Sequence, residues 1–203
     1  MAISTYSELK TSVANWLNRS DLTSYVPDLI ALGEARIYRD LRIRTMEASL
    51  SSAVASGVVA IPSDYVELKY AYVDGSTVQY LKRTNAQSII EKYPTRSADA
   101  KPSYIATDAG NFIFGPYPDS AYTIKGTYYK RLTALSDSNT TNWFTTNAPG
   151  ILLFAALSEA EVFLKNDERV QLWQAKYDME KDGIEREEQR ERFSGGGLAT
   201  TVR

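Results

Sequence analysis

The stretch Pro149-Gly150-Ile151-Leu152-Leu153-Phe154-Ala155-Ala156-Leu157-Ser158-Glu159-Ala160-Glu161-Val162-Phe163-Leu164 decides the fold. Pro149 opens a helix, since its missing N–H breaks no bond in a first turn. The apolar residues Ile151 to Leu157 and Val162 to Leu164 then wrap nearly all round it. A helix with no solvent face must be surrounded by other elements, so it is expected at the centre of a helical layer.

Downstream, Asn166-Asp167 interrupts the helix, and a last helix follows with Val170, Trp173, Tyr177, Met179 and Ile184. It runs on into Glu185-Arg186-Glu187-Glu188-Gln189-Arg190-Glu191-Arg192, which is charged on every side and cannot form a monomer's core. Ser194-Gly195-Gly196-Gly197 reads as a flexible hinge, and Leu198 and Val202 sit in a small apolar tip beyond it.

Upstream, the first helix is announced by Thr5 and Glu8 in capping-box spacing, with Leu9, Val13, Trp16 and Leu17 on one face. Thr23 or Ser24 caps a second helix with Pro27 in its first turn and an apolar stripe of Val26, Ile30, Gly33, Ile37 and Leu41. Its other faces carry Glu34, Arg36, Arg39, Asp40, Arg42 and Arg44. The arginines gather near the C-terminal end, where cations suit the helix dipole. They read either as ion-pair partners or as a local basic cluster.

From about Met46 to Arg131 the period changes to two. Val66, Leu68, Tyr70 and Tyr72 alternate with Glu67, Lys69 and Ala71, and Asp74-Gly75 turns the chain into Val78-Gln79-Tyr80-Leu81 as a hairpin. Thr84 is expected to cap a short helix through Ile89, Ile90 and Tyr93, stopped by Pro94. A second hairpin is expected from Tyr104 to Phe114 around Asp108-Ala109-Gly110-Asn111, and Tyr122 to Tyr129 is a further strand. Tyr70, Tyr72, Tyr80, Phe112, Phe114, Tyr128 and Tyr129 read first as core and cross-strand packing. Polar residues 136–142 then lead back to the helices.

The expected architecture is α+β: mainly an α-helical bundle of about four helices with a β-rich insertion and an extended C-terminal arm. Residues 1–45 and 145–193 form the helical assembly domain, 46–144 the β-rich insertion and 194–203 the arm.

Composition narrows the chemistry. The 203 residues are 43% hydrophobic, enough for a substantial core. Cysteine and histidine are both absent from the sequence, which removes thiolate nucleophiles, imidazole bases and the commonest zinc ligands. No cofactor is expected. A net charge of -2 provides no global basic footprint for nucleic acid. No run approaches the roughly 20 apolar residues of a membrane span, and Met1-Ala2-Ile3-Ser4-Thr5 lacks the pattern of an export signal, so no membrane partner is expected. Glu159 and Glu161 are the best acid candidates for a peptidoglycan hydrolase, but at i and i+2 they point to different faces and make no catalytic pair. The remaining alternative is a monomeric protein-binding module.

Several stretches carry a family likeness. They are Trp16-Leu17-Asn18-Arg19-Ser20-Asp21-Leu22, Leu32-Gly33-Glu34-Ala35-Arg36-Ile37-Tyr38-Arg39-Asp40-Leu41-Arg42, Ile61-Pro62-Ser63-Asp64-Tyr65, and Tyr128-Tyr129-Lys130-Arg131-Leu132-Thr133-Ala134-Leu135-Ser136 leading to Asn142-Trp143-Phe144. In their order and spacing the chain resembles the head-to-tail adaptor, or connector, proteins of short-tailed bacteriophages. The resemblance implies a non-enzymatic virion subunit that forms a dodecameric ring under the portal protein, meets tail nozzle or tail fibre proteins, and touches DNA only in transit. It places Glu185, Arg186, Glu188, Arg190, Arg192, Phe193, Leu198 and Val202 at the portal or subunit interface. The Arg36, Arg39, Arg42 and Arg44 cluster would then line the lumen or form ion pairs.

Overall fold

The computed structural model describes residues 3–164 and 167–193. It is α+β, with two compact units: residues 1–45 with 132–203, and residues 46–131.

In the helical unit, α1 (Tyr6–Leu17) starts at Thr5, whose side chain accepts from the Glu8 amide while Glu8 reaches back to the Thr5 amide. Leu9, Val13 and Leu17 are buried as their spacing requires, but Trp16 is half exposed, because the stripe drifts to the helix edge there. The second helix, α2 (Val26–Asp40), begins later than the Thr23 or Ser24 cap would place it. Tyr25 occupies the cap position without a side-chain hydrogen bond, and Pro27 fills the first turn.

The segment α4 (Trp143–Asn147) is a single short helix, capped reciprocally by Asn142 and Thr145. It leads into α5 (Pro149–Leu164), whose Ile151, Leu152, Leu153, Ala155, Ala156, Leu157 and Ala160 are all buried. That helix packs against α1, α2, α4 and α6 (Asp167–Phe193), so it occupies the centre. Residues 132–144, expected with the β insertion, are held in the helical unit: the Tyr38 hydroxyl donates to the Leu132 carbonyl at 3.2 Å, and Lys10 pairs with Asp137 at 2.7 Å.

Helices α2 and α5 touch backbone to backbone at Gly33. A Cβ there would stand 3.0 Å from the Ala156 nitrogen and 3.1 Å from Ala155 Cβ. Gly33→Val must therefore push the two helices apart. A loss of about 1–3 kcal/mol is expected, measured as a lowered midpoint in urea unfolding; an unchanged midpoint would contradict this packing.

The β unit contains two four-stranded sheets. One has β1 (Glu47–Val54), β8 (Tyr122–Lys130), β3 (Tyr65–Val73) and β4 (Gln79–Tyr80) in that order, all antiparallel. The other has β2 (Val58–Ala60), β7 (Asn111–Gly115), β6 (Tyr104–Asp108) and β5 (Lys82–Arg83), with only β5 and β6 parallel. Both expected hairpins form. The second turns through Ala109 and Gly110, with φ of 43° and 79°, the left-handed pair of a tight two-residue turn. Leu50, Val54, Leu68, Val73, Ile124, Ile105, Phe112 and Phe114 form one core shared by both sheets. The short helix α3 (Ala86–Lys92) covers the other face of β6 and β7 through Ile89, Ala106 and Ile113. Asn85, not Thr84, supplies its cap.

Strand β3 departs from its simple alternation. Register shifts between Tyr65 and Glu67 and between Leu68 and Tyr70 insert extra residues. The buried set is consequently Leu68, Ala71 and Val73, and Tyr70 is turned to the outer face.

Candidate interaction surfaces

The arginines of α2 divide into distinct environments. Arg36 points inward: its guanidinium lies 4.2 Å from the Tyr177 ring centroid, donates to Ser158 Oγ at 3.0 Å and to Gln174, and approaches Asp40 at 3.7 Å and Glu159 at 4.0 Å. The buried Tyr177 hydroxyl donates to Asp40 at 2.7 Å. Burial and that carboxylate push Tyr177 far above the ordinary phenol range. Arg42 folds over the helix end, donating to the Tyr38 and Leu41 carbonyls at 2.8 and 2.7 Å, as cations at helix C-termini do. Arg44 pairs with Glu191 of α6, and Arg39 is exposed. The four do not form one basic face.

Glu34 shares this helix, and its environment differs from the polar face expected for it. Gly33 brings α2 so close to α5 that the next residue turns inward, and Glu34 is only 4% exposed. Its carboxylate accepts from the Leu135 amide at 3.2 and 3.3 Å and from Asn142 Nδ2 at 3.2 Å. Burial raises its pKa, and these hydrogen bonds offset part of the rise. Asn142 also caps α4, so one carboxylate ties α2 to the segment 132–144 and to the start of α4. No spacing rule exposes this role, because the partners are about a hundred residues away in sequence.

The charged end of α6 is helical to Phe193. Its inner side is engaged by its own unit: Ile184 is buried, Glu191 meets Arg44, and Glu188 accepts from Arg192 at 3.0 Å. Glu187, Glu188 and Glu191 line a cleft of about 190 Å³ with Arg44, Trp143 and Asn147. Glu185, Arg186, Gln189 and Arg190 are exposed, with Glu185 and Gln189 lining a cleft beside Asp40, Arg42 and Ile43. The Phe193 side chain, Leu198 and Val202 lie outside the described residues.

Exposed apolar groups mark the remaining surfaces. On the helical unit they are Trp16, Tyr25, Leu32, Leu172 and Met179. Trp16 still makes edge contacts with Phe154 and Trp173, at 6.0 and 5.5 Å between centroids. On the β unit, Phe112, Phe114, Tyr128 and Tyr129 are buried as expected. Tyr70 and Tyr80 are instead 41% and 68% exposed. With Tyr72 they form an outward cluster, 5.9–6.4 Å between rings.

The two acid candidates stand differently. Glu159 is engaged by Arg36, and the Glu161 side chain lies outside the described residues. Among the described residues no group of three or more carboxylates could hold a metal, and no helix is long and apolar enough to cross a membrane.

No curated protein matches the chain. Residues 4–201 match the family described as SU10 adaptor protein. That match takes in both compact units and all four stretches that carry the resemblance to phage adaptors, so the chain belongs to the SU10 adaptor protein family, a family of structural phage proteins.

Proposed function

We propose that the chain is the head-to-tail adaptor of a tailed phage, a structural subunit that assembles as a ring beneath the portal, joins it to tail nozzle or fibre proteins and continues the DNA channel. The observation that carries this reading is the family match over residues 4–201. In the proposal, residues 1–45 and 145–193 act as the assembly domain and build the ring as a helical bundle, dodecameric by family resemblance. Residues 46–144 face outward or towards the nozzle, and residues 194–203 reach the portal as an arm. The exposed charges Glu185, Arg186 and Arg190 set register between neighbours, and Phe193, Leu198 and Val202 add apolar contact. Exposed ion pairs contribute only about 0.2–1 kcal/mol each, so most affinity comes from apolar area and from multivalency round the ring. Because Arg36 and Arg44 are engaged within the subunit, DNA passes without a dedicated arginine track.

Mass measurement with and without portal tests the reading. The subunit should assemble on the portal; a protein that stays monomeric and ignores the portal at high concentration defeats it. Deleting residues 194–203 should weaken portal attachment at least about tenfold, a loss of roughly 1.4 kcal/mol, with an unchanged thermal midpoint. Undiminished binding would remove the arm from the mechanism.

A further inference from the structure

Strand β1 is an edge that the fold leaves open. The Thr123 carbonyl of β8 accepts from the Asp74 amide at 2.8 Å on the β3 side. Successive residues of a strand turn their main-chain groups to opposite sides, so Tyr122, Ile124, Gly126 and Tyr128 serve β1. Their partners there are Val54, Ser52, Leu50 and Ala48. The N–H and C=O of Ser49, Ser51 and Ala53 therefore point away from the sheet, and among the described residues none hydrogen-bonds to them. All three residues are exposed. Nothing guards this edge. Its pairing with β8 runs without a bulge, its sequence holds neither lysine nor proline, and its single charge, Glu47, is held by Lys69 at 2.6 Å. The other flank of the same sheet is closed. There β4 is two residues long, and the rest of β3 is capped: the Leu68 amide donates to the Tyr65 hydroxyl at 2.8 Å, and the Lys69 and Ala71 carbonyls accept from the Arg83 side chain and the Leu81 amide.

We propose that the β1 edge is completed by an extended strand from a different protein, the tail nozzle component that follows the adaptor. This rests on the ring reading above and names how the β unit engages its partner. Symmetry excludes a second copy as occupant: ring neighbours are related by a rotation and meet through unlike patches, so one β1 never faces another. The unlike edge of the same sheet is the capped one. The outer strands of the second sheet, β2 and β5, span three and two residues, too short to pair with Ser49, Ser51 and Ala53 together. The edge also states the chemistry of the incoming strand. Lys125, the cross-strand neighbour of Ser51, is already paired with Asp74 at 2.7 Å, as Glu47 is with Lys69. The complement is therefore neutral. On the inner face Leu50 and Val54 lie in the core shared by both sheets, so the strand's inward residues are apolar and extend that core, while its outward ones are small or polar beside Ser49, Ser51 and Ala53. Main-chain bonds supply the affinity of such strand addition, and the alternation of side chains its selectivity.

The test uses full-length subunits assembled on portal, with the purified nozzle protein of the same phage as the probe and its affinity read by biolayer interferometry. Ser51→Pro and Ala53→Pro each delete an N–H that faces away from β8, so the sheet itself loses no bond. Both should keep the thermal midpoint and the attachment to portal, and should bind nozzle at least about tenfold more weakly. Ser51→Ala, which alters only the side chain, should bind like the wild type. Undiminished nozzle binding by either proline variant overturns the inference. So does an equal loss in Ser51→Ala, which would assign the contact to side chains, or a folded proline variant that no longer assembles on portal, which would place the edge between copies. If the prolines unfold the sheet, hydrogen exchange on the wild-type assembly decides: the amides of Ser49, Ser51 and Ala53 should slow when nozzle is added, and unchanged exchange sinks the proposal. Wild-type rings that ignore the nozzle protein overturn the inference and leave the ring standing. A wild type that never assembles on portal defeats the ring reading and this inference together.

Discussion

Gly126→Val is expected to lower the melting temperature of the β unit sharply. Gly126 lies in β8, the strand flanked by β1 and β3, opposite Leu50 on one side and Ala71 on the other. A Cβ at this position would run into the Tyr70 carbonyl oxygen and stand 2.9 Å from Ala71 Cα. Both obstacles are backbone atoms just after the irregularity in β3, so no side-chain rotation relieves them. Valine adds two methyl groups to the clash. The cost is expected at about 3 kcal/mol or more, a large part of the roughly 5–15 kcal/mol that holds a domain together. The same irregularity turns Tyr70 outward, so the loss should also dissolve the Tyr70, Tyr72 and Tyr80 cluster. Near-UV circular dichroism during thermal unfolding reads both effects through the tyrosine signal. A variant that melts with the wild type would show that the strands do not approach this closely.

Glu34 should separate two substitutions sharply. Glu34→Ala orphans the Leu135 amide and the Asn142 side-chain donor in a buried site, and should cost on the order of 3 kcal/mol. Glu34→Gln keeps an acceptor oxygen for both and removes the charge. Its effect depends on pH with a definite sign. Burial raises the folded-state pKa above the unfolded value, so below about pH 4, where both states are protonated, the wild type bears no penalty. As pH rises through the folded pKa, the buried carboxyl must ionise and stability is lost. The glutamine variant escapes that loss, so its stability relative to the wild type should grow from acid to neutral pH. Urea unfolding at pH 4 and pH 8 measures the difference. A gap that shrinks with pH would mean that the hydrogen bonds outweigh desolvation and that the carboxylate is native there in its charged form.

Periodicity determined much of this protein. The all-round apolar run at Ile151 to Leu157 could only be a central helix, and α5 is buried as that demands. The Thr5 cap, both hairpins and the strand Tyr122–Lys130 were equally legible, because each depends on local hydrogen bonding or on a period carried by adjacent residues. Family membership was legible in the same way, from the order of several short stretches along one chain.

Tertiary structure decided what neighbouring residues do not control. The caps of α2 and α3 shifted by one or two residues: Asn85 competes closely with Thr84 at the start of α3, and α2 starts after Tyr25 with no side-chain cap, its position set by packing. The alternation in β3 failed because bulges, which no period encodes, are set by the partner strand β8. Glu34 and Arg36 looked like solvent-facing charges and became a buried and a half-buried link because residues 132–142 and α6 close over them. A charged side chain enters a core only when distant groups satisfy it, and which distant groups arrive is a property of the whole fold.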